Sequence, residues 1–453
     1  MKITRLSFFA IIFALILGCP CVSFAAISAD EAKKLGTTLT EVGAEKAGSA
    51  DGSIPAYTGG LSEKPANFDL NSGKRPDPFA DEKPLFSIDA KNMGQYADKL
   101  TDGTKALMQK NPTFRVDVYK THRTVKYPTY VLEHTAKNAL TAKTANNGLT
   151  LEGAVAGYPF PIPKDGYEVM WNHLCNFEGE AYNGSVWTYN MDASGHKVLA
   201  TQQDNKTEYP YYNQKNPSTE IYFEVKMRYT GPPRHNGEGI MGKDALNPFQ
   251  KDRQAWQYLP GQRRVKLAPT LAFDTPNSST EGKTTYDDAY IFNGSMERYD
   301  FKLIGKKEMF VPYNTYKAVY WSTSDELCGP KIANPDDLRW ELHRVWVVEA
   351  TLKPGKRHVY SKRTFYIDED SWTGLASDSY DSKGQLYRTT YDMFTFSYDV
   401  GAGFNGSIIA YDLSAGSYSI GPIIGEKGGY LKYVPPFAAT EWNAESLAGQ
   451  GIQ

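Results

Sequence analysis

Three successive carboxylates, Asp368-Glu369-Asp370, could bind a metal ion, because hard cations such as Ca²⁺ prefer oxygen ligands. The segment lacks the ligand spacing and the glycine of an EF-hand loop. Acidic residues are also common in turns between strands. We therefore interpret these residues as a solvent-exposed turn, with a cation site as the alternative.

The spacing of the other reactive residues points to no known catalytic motif. The seven histidines are scattered, and no two have the i, i+4 spacing of metal ligands on a helix. The motifs GxSxG, HExxH, Walker A and paired CxxC are absent, and the glycine-rich residues 401–406 precede no helical pattern. The sequence thus predicts no catalytic residue, metal site or cofactor. An envelope hydrolase that uses acids such as Glu341 and Asp368 is a further alternative.

Two adjacent arginines, Arg263 and Arg264, follow an aromatic segment that contains Trp256 and Tyr258. Guanidinium groups can bind an anionic head group through two parallel hydrogen bonds. A solvent-exposed hairpin turn also places charged residues at such a position. We interpret the pair as a turn, with anion binding as the alternative.

The composition favours a folded β-rich protein. The chain has 453 residues, with 50 basic and 52 acidic residues and a net charge of −2, so no positive field favours nucleic acid as a partner. A mean hydropathy of −0.51 excludes a polytopic membrane protein. The 31 Tyr, 8 Trp, 39 Gly and 26 Pro are typical of many strands joined by tight turns.

The first 25 residues have the pattern of a secretory signal peptide. Two basic residues precede an apolar run at residues 6–17, and Ser23 and Ala25 are the small residues that a signal peptidase needs. We predict cleavage after Ala25. The mature protein is then expected in the periplasm, either free or associated with the outer membrane. The alternative is lipoprotein processing at Cys19.

After cleavage only Cys175 and Cys328 remain. In an oxidising compartment these two thiols can pair, or they can be buried as separate apolar side chains. The sequence leaves both possibilities open.

The mature chain divides into an N-terminal wrap at residues 26–90 and a main domain at residues 91–453. Ser28 and Glu31 form a capping-box pattern at the start of a short helix. Apolar spacing and proline positions predict three further helices, at residues 91–110, 129–144 and 167–174.

From about residue 196 to residue 400 the hydrophobic period changes to two, which is typical of half-buried antiparallel strands. Residues 221–229 alternate between an apolar face and a mainly charged face. Strands near 338–350, 359–367, 372–380 and 385–399, joined by short turns, predict a meander.

An aromatic and aliphatic face on this sheet either packs as core or encloses a pocket for an apolar ligand. Strand parity selects eight candidate ligand-contacting residues on this face. They are Phe223, Val225, Trp256, Tyr258, Trp340, Leu342, Trp346 and Phe365.

Four long segments in order resemble a Gram-negative family, the domain of unknown function 1329 family. They are the segment that begins ISADEAKKLG, GYPFPIPKDGYEVMWNH, AWQYLPGQRRVKLAPTLAFD and LRWELHRVWVVEATLKPGKRHVYSKRTFYIDEDSW. The resemblance extends over nearly the whole mature chain.

The resemblance implies a mainly β fold like that of the LolA and LolB lipoprotein carriers. In that fold a strongly curved antiparallel sheet forms an incomplete barrel, and helices cover its apolar concave face. It also implies a non-catalytic carrier for a hydrophobic or acyl-chain ligand. An alternative is an accessory protein of an exporter of the resistance-nodulation-division type, with an inner- or outer-membrane partner.

Overall fold

A computed structural model describes residues 27–268, 271 and 273–449. The predicted cleavage sites after Ala25 and at Cys19 lie outside these residues. The described chain is mainly β, with sixteen strands in one sheet and few helices.

The helices are short. The α-helices are α1 (Ala29–Ala32), α2 (Asp102–Lys110), α3 (Thr129–Thr141), α4 (Gly166–Leu174), α5 (Ser324–Leu327) and α6 (Ala444–Gly449). The 3₁₀-helices are Leu70–Ser72, Met93–Lys99, Pro210–Tyr212, Pro260–Gln262, Ser278–Thr280, Tyr286–Asp288, Met296–Arg298, Pro335–Asp337 and Ala439–Glu441. Lys317–Trp321 forms one π-helical turn.

The strands of the first half are β1 (Phe86–Ile88), β2 (Val116–Val118), β3 (Lys143–Ala145), β4 (Thr150–Glu152), β5 (Ala181–Met191), β6 (Lys197–Glu208), β7 (Ile221–Gly231), β8 (Gly239–Ala245), β9 (Gln254–Leu259) and β10 (Arg264–Leu267). Those of the second half are β11 (Tyr299–Pro312), β12 (Trp340–Leu352), β13 (Lys362–Asp368), β14 (Gly374–Tyr380), β15 (Leu386–Asp392), β16 (Thr395–Ser397), β17 (Ala402–Phe404), β18 (Ile408–Asp412), β19 (Ser417–Ile423) and β20 (Tyr430–Tyr433).

The large sheet has the order β1-β2-β12-β13-β14-β15-β18-β19-β5-β6-β7-β8-β9-β10, with β11 also paired to β12 and β20 to β5. It is curved and does not close into a barrel. This confirms the predicted mainly β fold. The sheet is mixed and not wholly antiparallel, because β2 meets β12 in parallel at Val118 and Trp340.

The predicted meander is confirmed as the consecutive antiparallel strands β12 to β15. The strand predicted over residues 385–399 ends at Asp392, and β16 pairs with β17 in a separate two-stranded sheet. The capping box at Ser28 and Glu31 is also confirmed. The helix predicted over residues 91–110 is divided in two, because Leu100 has an extended backbone. Helix α2 begins after it, where the Thr101 side chain accepts a hydrogen bond from the Thr104 amide. Helix α2 contacts β15, and α4 contacts β11 and β12.

The prediction that β7 is half-buried is wrong, because its charged face is covered too. Lys226 is 2% exposed, and its Nζ lies 2.7 Å from Glu441 Oε2. Glu224 on the same face pairs with Lys243. The C-terminal segment, residues 437–449, lies over this face of β7. Glu441, which pairs with Lys226, belongs to that segment and is more than 200 positions from β7 in the sequence.

The N-terminal segment, residues 27–60, contributes to the core. Val42 and Ile54 are buried, and the Val42 carbonyl accepts a hydrogen bond from Trp372 Nε1. Cys175 and Cys328 are both free thiols, and Cys175 is buried whereas Cys328 is half-buried. Burial raises the pKa of the Cys328 thiol to about 12.

Candidate functional site

An apolar cavity lies against one face of strands β6 to β9. The cavity has a volume of about 160 Å³. All of the empty space between the lining residues, including the opening to solvent, amounts to about 1030 Å³. Cross-strand neighbours form its floor, since Val225 pairs with Gly242 and Gly242 pairs with Ala255. Gly242 leaves space there, because a Cβ atom at this position would meet only Val225, at 3.5 Å.

The cavity cover, residues 277–293, closes the cavity from above the sheet. The backbone of Tyr290 and Ile291 is left-handed, with φ of 55° and 70°, which is strained for a β-branched residue such as Ile291. This turn directs Tyr290 into the cavity wall and buries Ile291 in the core. The Tyr290 ring packs edge-on against Phe223, with ring centroids 5.6 Å apart.

A buried ionic cluster anchors the cavity cover to the sheet. Arg363 on β13 donates hydrogen bonds to Asp287, to Asp288 and to the carbonyl of Ile291. Burial alone would raise the pKa of Asp287, but the charges of Arg363 and His358 outweigh it and lower that pKa. The anchored cover holds the cavity shape.

Two unpaired amide oxygens give the cavity a polar end. Gln203 Oε1 and Asn205 Oδ1 are buried and have no hydrogen-bond partner in the described part of the chain. Both residues line the cavity. A buried acceptor without a donor is costly, so rotation of either amide toward a ligand group that donates a hydrogen bond would lower the free energy of the complex.

The charge in the lining is neutralised. Arg253 lines the cavity, but its guanidinium forms a bidentate pair with Asp244, with N–O distances of 2.5 and 2.7 Å. It also donates to Asn293. No other lysine, arginine or acid is among the described residues that line the cavity.

The eight residues selected by strand parity lie in three places. Phe223 and Val225 line the cavity. Trp256 and Tyr258 lie on the opposite face of the sheet, where they pack with Trp442 of the C-terminal segment.

The remaining four residues belong to the main core of the β12–β13 region. Trp340 packs against Tyr391, Trp346 stacks on Trp372, and Phe365 packs against Phe292. Leu342 is 4% exposed. The structure therefore brings only two of the eight residues to the cavity, and a ligand contact at those two stays a prediction.

The sequence reasoning missed the cavity cover, which lacks regular strand or helix periodicity. It also missed Gln203 and Asn205. Strand β6 has polar residues on both faces, so its sequence does not indicate which face is buried. The one usable signal was that these two amides lie two positions apart and so share a face.

The interpretation of Asp368-Glu369-Asp370 as a solvent-exposed turn is wrong. All three residues are at most 3% exposed, and arginines from distant segments pair with Glu369 and Asp370. Asp370 binds Arg123 through both oxygens, and Glu369 binds Arg344.

Glu341 and Asp368 both face His343, and neither lies in an open cleft. Glu341 Oε2 is 3.1 Å from His343 Nε2, and Asp368 Oδ1 is 3.8 Å from His343 Nδ1. Burial and the charge of Asp370 raise the pKa of Asp368 to about 6. Burial opposes the ionisation of Glu341, but the hydrogen bond from His343 and the charge of Arg339 hold its pKa below the ordinary value.

A second cavity, with a volume of about 530 Å³, lies between the N-terminal segment and α3. Its walls include charged side chains, namely Glu41, Lys46, Lys126 and Asp370. This polar cavity is larger than the first, but its charged lining does not suit an apolar ligand. No described residue of the N-terminal segment lines the apolar cavity.

Arg263 and Arg264 lie at the β9–β10 hairpin, and both are exposed. This confirms the interpretation of the pair as a hairpin turn. In the described part of the chain, no helix is both long and apolar enough to span a membrane.

Comparison with known proteins relates most of the chain to one family. The sequence model of the family described as "Protein of unknown function (DUF1329)" matches residues 87–448. An uncharacterized protein of Pseudomonas aeruginosa is 42% identical over 432 residues, which cover 92% of each chain.

Several solved structures match part of the chain. A putative outer membrane lipoprotein-sorting protein domain from Vibrio parahaemolyticus matches 62% of this chain and 98% of its own, with 15% identity and a TM-score of 0.43. A DUF1329 family protein from Desulfovibrio piger matches 59% and 91%, with 14% identity and a TM-score of 0.39. A LolA superfamily protein from Nitrosomonas europaea matches 63% and 100%, with 12% identity and a TM-score of 0.37.

Proposed function

The chain belongs to the DUF1329 family of proteins of unknown function, and on this premise we propose that it is a non-catalytic binding protein for an uncharged amphiphile. The apolar cavity beneath the cavity cover carries the proposal. Its floor is formed by aliphatic and aromatic side chains and glycine, and Phe223 and Val225 contact the ligand. Each CH₂ group buried there contributes about 0.8 kcal/mol to binding.

The polar end of the cavity determines the ligand class. The free acceptors of Gln203 and Asn205 favour a hydroxyl or amide group on the ligand. A carboxylate or phosphate would find no free cation, because Arg253 is paired with Asp244. Burying an unpaired charge is far more costly than burying a neutral polar group.

The chain acts in the periplasm, after removal of the signal peptide that the first 25 residues resemble. Cargo exchange requires the cavity cover to open. Transfer then follows from the higher affinity of an acceptor and needs no nucleotide. Association with an exporter remains a prediction from the family resemblance.

The test is displacement of an apolar fluorescent dye, 1-N-phenylnaphthylamine, from the purified protein. Three competitors with the same C12 chain are compared: dodecanol, dodecanoate and dodecylammonium. We expect dodecanol to displace the dye at least about tenfold more effectively than either ion, which corresponds to about 1.4 kcal/mol. Absence of dye uptake, together with a native mass spectrum that shows no apolar adduct, would falsify the binding function.

A further inference from the structure

His343, Asp368 and Asp370 form a compact buried cluster that is separate from the apolar cavity. None of the three is more than 3% exposed. One possible ligand atom from each residue lies within 4.8 Å of the others. The cluster joins β12 to the turn that follows β13.

The proton position on His343 follows from its neighbour Glu341. Glu341 Oε2 lies 3.1 Å from His343 Nε2. The same carboxylate accepts hydrogen bonds from Arg339 Nε at 2.6 Å, the His122 amide at 2.8 Å and Asn314 Nδ2 at 3.0 Å. An acceptor with this many donors is a carboxylate, so Nε2 donates its proton to Glu341, and Nδ1 is the nitrogen that a metal ion would use.

His343 Nδ1 faces an unpaired carboxylate oxygen. Asp368 Oδ1 lies 3.8 Å from His343 Nδ1, too far for a hydrogen bond, and has no other hydrogen-bond partner among the described residues. Its second oxygen accepts from the Ser371 amide at 2.9 Å, from Ser371 Oγ at 2.7 Å and from Tyr313 at 3.2 Å. These bonds fix Oδ1 toward the imidazole. A cation between Nδ1 and Oδ1 would satisfy both of these buried atoms.

The neighbouring lysines and arginines pair with the other two carboxylates of this segment. Arg123 pairs with Asp370, while Arg344 and Lys306 pair with Glu369. Among the described residues, no lysine or arginine forms an ion pair with Asp368. Each oxygen of Asp370 keeps a second lone pair while it is bound to Arg123.

We propose that a divalent transition-metal ion binds to His343 Nδ1, Asp368 Oδ1 and a carboxylate oxygen of Asp370. One imidazole nitrogen and two carboxylate oxygens suit Zn²⁺ or Mn²⁺. Tetrahedral Zn²⁺ ligands are about 3.4 Å apart, so the cluster contracts slightly on binding. Glu341 completes the arrangement, since metal-bound histidines usually donate their other N–H to a carboxylate.

The polar cavity gives the ion a route of entry. Asp370 is part of its wall, and water in the cavity can complete the coordination. The bound ion cross-links β12 to the turn after β13. Metal binding therefore stabilises the fold independently of any ligand in the apolar cavity.

The test is calorimetric titration of the full mature chain with ZnCl₂ after treatment with EDTA and removal of the chelator. We expect one equivalent to bind and the Tm to rise. Asp368→Asn keeps the size and shape of the side chain but removes its charge, so the fold should be kept. It should weaken Zn²⁺ binding at least about 100-fold, because loss of an outer-shell partner alone costs about 10- to 100-fold.

Glu41→Gln is the matched control, because Glu41 lines the same polar cavity outside the cluster. This variant should bind Zn²⁺ like the wild type. If Asp368→Asn does not fold, as judged by circular dichroism, His343→Gln takes its place in the titration. Stoichiometric binding that survives the ligand substitution, or a wild type that binds no Zn²⁺ or Mn²⁺, overturns the proposal.

Discussion

The Arg363 guanidinium donates a 2.8 Å hydrogen bond to the Asp288 carboxylate, and neither side chain is more than 5% exposed. Arg363 belongs to β13, whereas Asp288 belongs to the cavity cover. The pair therefore connects the rigid centre of the sheet to the irregular segment that shapes the apolar cavity. The stability of the cover depends on this connection more than on regular secondary structure.

Arg363→Met should destabilise the protein by about 3–5 kcal/mol, because two buried carboxylates, Asp287 and Asp288, lose their main cation. Chemical denaturation measures this loss. Hydrogen exchange of residues 277–293 should increase more than exchange in the rest of the sheet. Arg357→Met is the control, since Arg357 is exposed and the change should cost little. A loss below about 1 kcal/mol would show that the cover is held by other contacts.

Glu168 on α4 should give the protein a distinct pH dependence of stability. Burial raises its pKa to about 7. Between pH 4.5 and 7 the folded state keeps a proton that the unfolded chain releases, so stability falls as the pH rises. Glu168→Gln has no carboxyl group to titrate at this position. Its free energy of unfolding should therefore change by about 2–3 kcal/mol less than that of the wild type between pH 4.5 and 7.

The measurement is the free energy of unfolding by urea at several pH values, for the wild type and for Glu168→Gln. The exposed residue Glu133 on α3 supplies the control variant, Glu133→Gln. A constant difference between wild type and Glu168→Gln from pH 4.5 to 7 would contradict the assigned pKa.

Much of the sheet follows from local sequence, because the period of two in β7 and β12 fixes which residues share a face. That period correctly groups Phe223 with Val225. The period does not reveal which face of the β9–β10 hairpin lines the cavity. The contact of Trp256 with the C-terminal segment, on the opposite face, therefore could not be predicted. The burial of Asp370 depends on Arg123, 247 positions away, and local sequence carries no signal of that pairing.

Gln203→Leu should separate ligand chemistry from fold stability. The substitution removes a buried acceptor without a partner, so the apo protein should gain about 1 kcal/mol. Dodecanol should bind about 5- to 10-fold more weakly, because it loses one hydrogen bond. Dye displacement and urea denaturation measure the two effects.

Gln202→Leu is the matched control, because residue 202 lies on the opposite face of β6 from Gln203. It should leave dodecanol binding unchanged. Unchanged binding in Gln203→Leu as well would place the ligand hydroxyl elsewhere in the cavity.

Gly242→Leu tests whether the apolar cavity is the binding site. The new side chain would enter the cavity floor beside Val225, and the backbone of Gly242 needs no left-handed conformation. We expect dye binding to fall at least about tenfold, while the fold is kept because a strand interior tolerates leucine better than glycine. Gly261→Leu, at the exposed turn of the β9–β10 hairpin, should bind the dye normally. Normal dye binding by a folded Gly242→Leu variant would show that the dye does not bind in the cavity formed by strands β6, β7, β8 and β9.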